Sequence, residues 1–285
     1  MTYRESLNFL YERLPMFTRL GPPAYKEGLG NIRMLCEKLG SPQDKFKSIH
    51  IAGTNGKGST SHMLAAILQQ AGYKTGLCTS PHIYDFRERI RINGLMIEEQ
   101  AVADFVTGLL PLEIEPSFFE MTIAMAFSHF AKEKVDIAIV ETGLGGRLDS
   151  TNIITPVLSV ITNIGKDHMD LLGDSLESIA KEKAGIIKPG IPVVIGESDY
   201  RTRSVFEKRA LEIVSPIYFP SEEMKVEVVD ANDSSLVMDV LETENKYRNL
   251  MLDLTGSYQQ KNITGVLAVI RLLQEKGWKI TDKQL

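Results

Sequence analysis

The chain has 285 residues, of which 43% are hydrophobic and 24% are charged, and its formal net charge is −5. This balance excludes a disordered chain and a basic nucleic-acid-binding surface, and no stretch reaches the roughly 18 apolar residues of a membrane span. Cys36 and Cys78 form no CxxC pair, and the N-terminus lacks the apolar core of a signal peptide. We therefore expect a cytoplasmic protein that binds neither nucleic acid nor membranes, and we take a monomer as the default.

Short β-branched segments alternate with helical patterns along most of the chain. Two opening helices are joined by a turn-rich stretch at 19–28. Strands are then predicted at 47–53, 74–80, 135–141, 156–164 and 191–196, and helices at 57–70, 98–110, 119–132 and 175–187. This alternation predicts an α/β fold with a doubly wound, mainly parallel sheet.

The pattern changes after Ile217. From there to Leu254, short strands are separated by Asp, Asn and Glu turns, and a last helix follows from about Asn262. These strands predict β-hairpins added at a sheet edge or a small β subdomain. No internal repeat or interdomain linker is visible.

The segment GTNGKGST, residues 53–60, lies between an apolar strand and a helix. It differs from the usual GxxxxGK[ST] pattern, because a glycine stands three residues before Gly56-Lys57 and Gly58 separates Lys57 from Ser59. Glycines let backbone N–H groups converge on an anion, and the helix N-terminus adds its positive dipole end. The segment predicts a phosphate loop, although a solvated glycine-rich turn is the alternative. Ser59 and Thr60 are candidates for a Mg²⁺ ligand or for a helix cap.

Two further side chains follow predicted strands. Glu141 ends the strand of VDIAIVE, where open α/β sheets bind ligands, so it can hold Mg²⁺ directly or through water. His168 lies between Asp167 and Asp170 after another strand and could join Glu141 at the same edge. The alternative for both is a solvated loop residue.

Lys183 falls within an apolar stripe at helical spacing, formed by Leu176, Ile179, Ala180, Ile186 and Ile187. A lysine there must extend its amine to water, pair with an acid or lose its charge, and the first outcome is the commonest. A neutral amine beside a Mg²⁺ site has another fate, which is to add carbon dioxide and become a carbamate.

The loop TSPHIYDFRERIRING contains His82 and three arginines, Arg87, Arg89 and Arg91. It would suit an anionic substrate. The residues alone favour a surface hairpin whose charges face water.

Seven motifs, read together, identify a family. They are GTNGKGS, TSPHIYDFRERIRING, FFEMTIAMAF, ETGLGGRLDSTN, NIGKDHMDLLG, IAKEKAGIIK and GSYQQKN. In order and spacing the chain resembles folylpolyglutamate synthase and dihydrofolate synthase of the Mur ligase superfamily, whose phosphate loop has this shortened form. The resemblance implies an ATP-dependent amide ligase that adds L-glutamate to folate, to dihydropteroate or to both, through an acyl phosphate.

The resemblance also implies roles for individual residues. Lys57, Lys183 and His168 would be catalytic, Lys183 as a carbamate, and Mg²⁺ would be held by Ser80, Glu141 and His168. Acceptor binding would fall to Ser80, Pro81, His82 and Arg89 in the segment from Ser80 to Ile92. The nucleotide would be held by Gly53, Thr54, Asn55, Gly56, Lys57, Gly58, Ser59 and Thr60, with Asn262 near the adenine.

Two positions depart from the family pattern, and the chain is shorter than members of the family. Tyr258 stands where relatives often carry a histidine, and Arg87 where they often carry an asparagine. The resemblance implies that residues 1–285 form the ATP-binding domain and that the family's C-terminal, glutamate-binding domain is absent. Two alternatives remain, a UDP-muramoyl peptide ligase of the same superfamily and a non-catalytic nucleotide-binding module.

Overall fold

The computed structural model of the protein describes residues 1–15, 28–111, 114–242 and 246–285. The turn predicted at 19–28 lies, apart from Gly28, outside these ranges. Strands of the main sheet are β1 Lys47–Ala52, β2 Thr75–Cys78, β3 Ile90–Ile92, β4 Leu95–Met96, β5 Ile137–Glu141, β6 Leu158–Ile161, β7 Val193–Ile195 and β8 Ile217–Tyr218. A second sheet contains β9 Lys225–Ala231, β10 Leu236–Leu241 and β11 Lys246–Leu252.

Helices connect most of the strands of the main sheet. The α-helices are α1 Tyr3–Asn8, α2 Gly30–Lys38, α3 Lys57–Gln70, α4 Glu99–Leu109, α5 Phe118–Lys132, α6 Met169–Leu172, α7 Leu176–Ala184, α8 Arg203–Glu212 and α9 Gln259–Glu275. A π-helical turn, Phe9–Arg13, continues α1. The 3₁₀ turns are Pro42–Asp44, Phe86–Arg89, Ser150–Ile153, Pro220–Glu222 and Asp282–Gln284. None of the helices in these ranges is long and apolar enough to cross a membrane.

The main sheet has eight strands in the order β4-β3-β2-β5-β1-β6-β7-β8. Strands from β2 to β8 in this order are parallel to their neighbours, and β3 and β4 add an antiparallel hairpin at one edge. β1 lies between β5 and β6, so the connections diverge on its two sides. Open α/β sheets bind ligands at such a switch point, outside the carboxyl ends of the strands. The predicted doubly wound sheet is confirmed.

The core lies on both faces of this sheet. β1 is buried over all but its first residue, as expected for a central parallel strand. α3 packs on the sheet through Met63, Leu64, Ile67 and Leu68, the apolar face that the sequence predicts. α5 is covered nearly all round, and its N-terminus is fixed by a capping box between Ser117 and Glu120.

The strands after Ile217 divide between the two sheets. β8 extends the main sheet, whereas β9, β10 and β11 form an antiparallel sheet of their own with β10 in the centre. The inner face of that sheet shares one apolar cluster with α3, α9 and β1, to which β10 contributes Leu236, Met238 and Val240. The extension is therefore packed onto the main core.

At the amino ends of the strands, opposite the switch point, lies the chain's single tryptophan. The Trp278 ring packs edge-on against Tyr73, with centroids 4.8 Å apart, and the Lys47 amine lies 5.1 Å from its centroid. Tyr73 precedes β2 and Lys47 begins β1.

The hairpin favoured in the loop with the three arginines is present as β3–β4. The sequence missed the helices α6 and α8. α6 has four residues, too few for a helical period to show. α8 buries only Phe206 and Ala210, so its apolar stripe is too thin to be seen against its charged residues.

Candidate active site

The phosphate loop connects β1 to α3 at the switch point. Gly56 is the residue before the helix and has φ 81°, a left-handed conformation that favours glycine. Gly53 leaves the strand with φ 155°, and a Cβ placed on it would lie 1.8 Å from Thr162 Oγ1. Both glycines are therefore required by the path of the backbone.

The segment after β6 holds the loop in shape. Thr162 Oγ1 donates a hydrogen bond to the carbonyl of Asn55 at 2.6 Å, and the backbone N–H of Asn55 donates to Asn163 Oδ1 at 2.9 Å. Thr54 exchanges hydrogen bonds with the backbone of Gly165 through its hydroxyl. The sequence analysis missed Thr162 and Asn163, although a polar pair directly after an apolar strand was a signal for them.

Two lysine amines meet at the carbonyl oxygen of Gly53. Lys57 Nζ donates to it at 3.1 Å and to the carbonyl of Thr54 at 3.2 Å, and Lys183 Nζ donates to it from α7 at 2.9 Å. Lys183 is only 3% exposed, so its amine does not extend to water. Burial, reinforced by the charge of Lys57, lowers the pKa of the Lys183 amine to about 8.

Glu141 is the last residue of β5 and lies beside this loop. Its side chain is 4% exposed, and Glu141 Oε2 accepts a hydrogen bond from the backbone N–H of Ser80 at 3.2 Å. Burial raises the pKa of the Glu141 carboxyl to about 7, against the opposing charge of Lys57. Ser80 and Glu141 are thus brought together by the fold.

On α3, the buried Thr60 hydroxyl has no hydrogen-bond partner among the described residues.

His168 stands apart from this pair. It has φ 48° at the start of α6, its side chain is half-exposed, and its Nε2 lies 3.7 Å from Asp167 Oδ2. Across the ranges that the structure describes, no three His, Cys, Asp or Glu side chains are grouped as metal ligands. The metal-binding role of His168 stays a prediction.

Asn262 approaches the phosphate loop from α9. A Cβ on Gly56 would lie 2.3 Å from Asn262 Oδ1, so the amide packs directly against the glycine. Asn262 Nδ2 donates to Gln259 Oε1 at 2.8 Å, and Gln259 Nε2 donates to Ser59 Oγ at 3.1 Å. Tyr258 precedes the helix and is exposed. These contacts connect α9 to the phosphate loop, although the two are about 200 residues apart in the sequence.

The segment after β2 is an ordered turn. The Ser80-Pro81 peptide bond is cis, and Asp85 caps the 3₁₀ turn Phe86–Arg89. Arg87 pairs with Asp85 at 2.7 Å. Arg89, however, is 8% exposed and donates from Nε to His82 Nδ1 at 2.7 Å. The expectation that these arginines face water is wrong for Arg89, because the 3₁₀ turn directs it inward.

A phosphate loop at the switch point, facing a buried acid and a buried lysine, fits the Mur ligase middle domain, whose family model matches residues 51–270. The chain belongs to the Mur ligase family. Among its relatives, the Mur ligase "Dihydrofolate synthase/folylpolyglutamate synthase" of Bacillus subtilis is 37% identical, over 99% of this chain and 66% of its own length. The chain therefore lies in the dihydrofolate synthase and folylpolyglutamate synthase branch of the Mur ligases.

Solved structures point to the same family as the sequence comparisons. A complex of FPGS with AMPPCP and folate superposes with a TM-score of 0.90 at 31% identity, covering 100% of this chain and 70% of that one. Escherichia coli FolC in complex with DHPP and ADP gives a TM-score of 0.83 at 30% identity, covering 100% and 64%. The chain spans about two thirds of the length of these relatives.

Proposed function

We propose that this chain is the ATP-binding part of a ligase that joins L-glutamate to folate, to dihydropteroate or to both. The acceptor carboxylate would attack the γ-phosphate of ATP, releasing ADP and forming an acyl phosphate, and the amine of glutamate would then displace phosphate. The observation that carries the proposal is the convergence of Lys57 and Lys183 on the Gly53 carbonyl beside Glu141. Relatives that bear these enzyme names, or hold a nucleotide and a folate, support it.

The nucleotide would lie along the loop from Gly53 to Thr60. Its phosphates would accept from the backbone N–H groups that begin α3, and Lys57 would turn from the loop carbonyls to the phosphates. Asn262, in contact with Gly56, would border the adenine side. Since phosphoryl transfer depends on positioning and charge neutralisation, these contacts would supply much of the catalysis.

Mg²⁺ fits the oxygen atoms at this site. Glu141 is a buried carboxylate whose charged form needs a cation, and the backbone of Ser80 is hydrogen-bonded to it. The hydroxyl of Ser80 would be a second ligand, and the Thr60 hydroxyl, which has no partner among the described residues, is a further candidate on α3. His168 fits less well, since imidazole suits softer metals and this one is half-exposed. Bound Mg²⁺ would neutralise charge on the β- and γ-phosphates.

Lys183 would carry a carbamate. Its lowered pKa leaves a substantial neutral fraction at mildly alkaline pH, and a neutral amine adds carbon dioxide with loss of one proton. The product is an anion, and it would lie beside the cation Lys57. Formation of the carbamate would therefore replace a buried amine that has no ionic partner among the described residues by an ion pair.

The acceptor would bind at the turn that contains Ser80, Pro81, His82 and Arg89. Residues 1–285 would act as one ATP-binding domain, with glutamate bound by a C-terminal domain of the kind expected from the family. The protein would be a monomer, and a cytoplasmic location is consistent with two buried, free cysteines, Cys36 and Cys78. Such thiols persist in a reducing compartment.

The test is ADP release from Mg·ATP and glutamate, with dihydropteroate or tetrahydrofolate as acceptor, by the longest natural form of the protein. Release that depends on either acceptor would establish the ligase and its branch. A UDP-muramoyl peptide as the sole productive acceptor would favour the other ligase, and nucleotide binding without any acceptor-dependent release would favour the non-catalytic module.

Lys57→Ala in the same protein separates nucleotide binding from folding. We expect Mg·ATP affinity to fall at least about 100-fold, since a charge-assisted contact to phosphate is lost, with unchanged circular dichroism. Lys181→Ala is the control, because Lys181 is exposed and paired with Glu177 on the outer face of α7. Unchanged calorimetric affinity in Lys57→Ala would remove the loop from the site.

A further inference from the structure

Arg89 is a buried cation, and Glu141, the acid whose charge acts on it, lies beyond ion-pair distance. Its neighbour Arg87 forms ion pairs with Asp85 and Glu99. No such pair involves Arg89 among the described residues, although its side chain is 8% exposed. Burying a guanidinium costs free energy unless an anion compensates it, so this arrangement indicates a missing anion.

The contacts of Arg89 leave its two terminal nitrogens unused. Nε donates to His82 Nδ1 at 2.7 Å, and the guanidinium lies 5.2 Å from the centroid of Phe118. These contacts fix the plane of the group. Nη1 and Nη2 have no acceptor in the part of the chain that the structure describes, so the fork of N–H donors is held in place and available.

His82 orients the guanidinium of Arg89 and adds no second positive charge. Because Nδ1 accepts from Arg89, the proton of the neutral imidazole lies on Nε2, which is 3.4 Å from the Tyr11 hydroxyl oxygen. Burial and the charge of Arg89 lower the pKa of His82, against the charges of Glu88 and Asp85. Arg89 is thus the cation of this cluster.

The walls of the cluster are aromatic. Tyr11 stacks on Phe118 with centroids 5.6 Å apart, and Phe86 meets both Phe118 and His82 edge-on. One fixed guanidinium among aromatic rings suits a planar monoanion attached to an apolar or aromatic body, since carboxylate and guanidinium match as two parallel hydrogen bonds. A phosphate would need more than one positive charge, which the loop at Lys57 supplies elsewhere.

We propose that Arg89 is the receptor for a carboxylate of the acceptor substrate, bound through Nη1 and Nη2. Only the identity of the acceptor rests on the proposed function; the unpaired guanidinium does not. The receptor lies near Glu141 and the proposed site of phosphoryl transfer, because the charge of Glu141 acts on Arg89 and the backbone N–H of Thr79, the residue before Ser80, donates to the Arg89 carbonyl at 3.1 Å.

The test is calorimetric binding of three pterins that differ in carboxylates. These are 6-hydroxymethylpterin with none, pteroate with one and folate with two. In Arg89→Gln we expect affinity for pteroate, folate or both to fall about 10- to 100-fold, with that for 6-hydroxymethylpterin unchanged. Arg89→Lys keeps the charge without the fork and should recover part of the loss.

Arg91→Gln is the matched control, since Arg91 lies two residues further on, in β3, and its side chain bonds only to the carbonyls of Glu88 and Gly94 among the described residues. Loss for both acids means that Arg89 binds the carboxylate that ends the acceptor, which is the benzoate group of pteroate and a glutamate carboxylate of folate. Loss for pteroate alone assigns the receptor to the benzoate carboxylate, which is an amide in folate, and loss for folate alone assigns it to the glutamate carboxylates. Unchanged affinity for both acids, or equal loss for all three pterins, would overturn the proposal.

If the unaltered chain binds none of the pterins, the proposed acceptor class fails. The receptor is then tested with benzoate, whose binding must perturb the Arg89 side-chain NMR signals and disappear in Arg89→Gln. An unaltered chain that does not respond to benzoate would overturn it. Should Arg89→Gln fail to fold, Arg89→Lys replaces it in each comparison, with a smaller expected loss.

Discussion

Lys183 and Lys188 have the same lowered pKa in different surroundings. Burial is the main cause for both, and each amine has a pKa of about 8. Lys183 meets the phosphate loop at Gly53, whereas Lys188 donates to the carbonyl of Asn152 behind it. If neutrality alone produced a carbamate, both lysines would react; if the loop selects the site, only Lys183 would.

In ¹³C NMR of the protein with labelled bicarbonate at pH 8.5, we expect a side-chain carbamate signal that is absent in Lys183→Met and retained in Lys188→Met. The carbamate of the terminal α-amino group is present in all three proteins. The side-chain signal should weaken as the pH falls through about 8, because the protonated amine does not add carbon dioxide. A side-chain signal that survives Lys183→Met, or that requires Lys188, would contradict the assignment.

Glu141 predicts how stability varies with pH when no divalent cation is present. Its pKa is raised from 4.5 to about 7 in the folded chain, so the folded state holds a proton between these values that the unfolded state has lost. The free energy of unfolding therefore falls as the pH rises through this window, by at most about 3 kcal/mol. Glu141→Gln should be more stable than the unaltered chain at pH 8, with a smaller difference at pH 5.

Urea denaturation with EDTA at both pH values measures this difference. Adding Mg²⁺ with nucleotide should then stabilise the unaltered chain more than Glu141→Gln, because only the former offers the carboxylate. Equal stabilisation would exclude Glu141 from the metal site.

At the scale of elements, the contact between α9 and the phosphate loop is steric. Gly56→Ala combines a left-handed φ of 81° with a Cβ 2.3 Å from Asn262 Oδ1, so both backbone strain and a clash oppose it. Gly72 also has a left-handed φ, 86°, but no atom lies within 4 Å of its added Cβ. Gly72→Ala should cost about 1 kcal/mol, and Gly56→Ala clearly more.

The double variant Gly56→Ala/Asn262→Ala removes the clash and keeps the strain. We expect it to be more stable than Gly56→Ala alone, which is a coupling that independent residues would not show. Additive changes in urea midpoints would mean that α9 does not press on the loop.

At the scale of the whole molecule, the two sheets share one apolar cluster and should unfold together. Met238, at the centre of β10, is 0% exposed and belongs to the cluster that contains Ile49 and Ile51 of β1. Met238→Ala should lower the free energy of unfolding by about 2–5 kcal/mol in a single transition. Val228→Ala, on the same sheet but 43% exposed, should change it by less than about 0.5 kcal/mol. Two separate transitions would show the second sheet to be an independent unit.

The sequence predicts what depends on local pattern and misses what depends on register. The phosphate loop follows from glycine spacing, and the place of Lys183 on the apolar stripe follows from helix phase. The amine itself stays buried, which differs from the commonest outcome for such a lysine. Thr162 reaches Asn55 because β1 and β6 pair with Ala52 opposite Ile161, which no local signal specifies. Arg89 is buried because Tyr11 and Phe118 come from distant helical segments, so its own short turn could not reveal its environment.

The position of Trp278 has a spectroscopic consequence. The only indole of the chain lies at the amino ends of the strands, and the phosphate loop lies beyond their carboxyl ends. Its fluorescence should therefore respond when the sheet comes apart and stay constant when a nucleotide binds to the intact protein. Unfolding can be followed from its emission in the presence of any ligand that does not itself absorb there, with occupancy of the distant loop left to a separate probe.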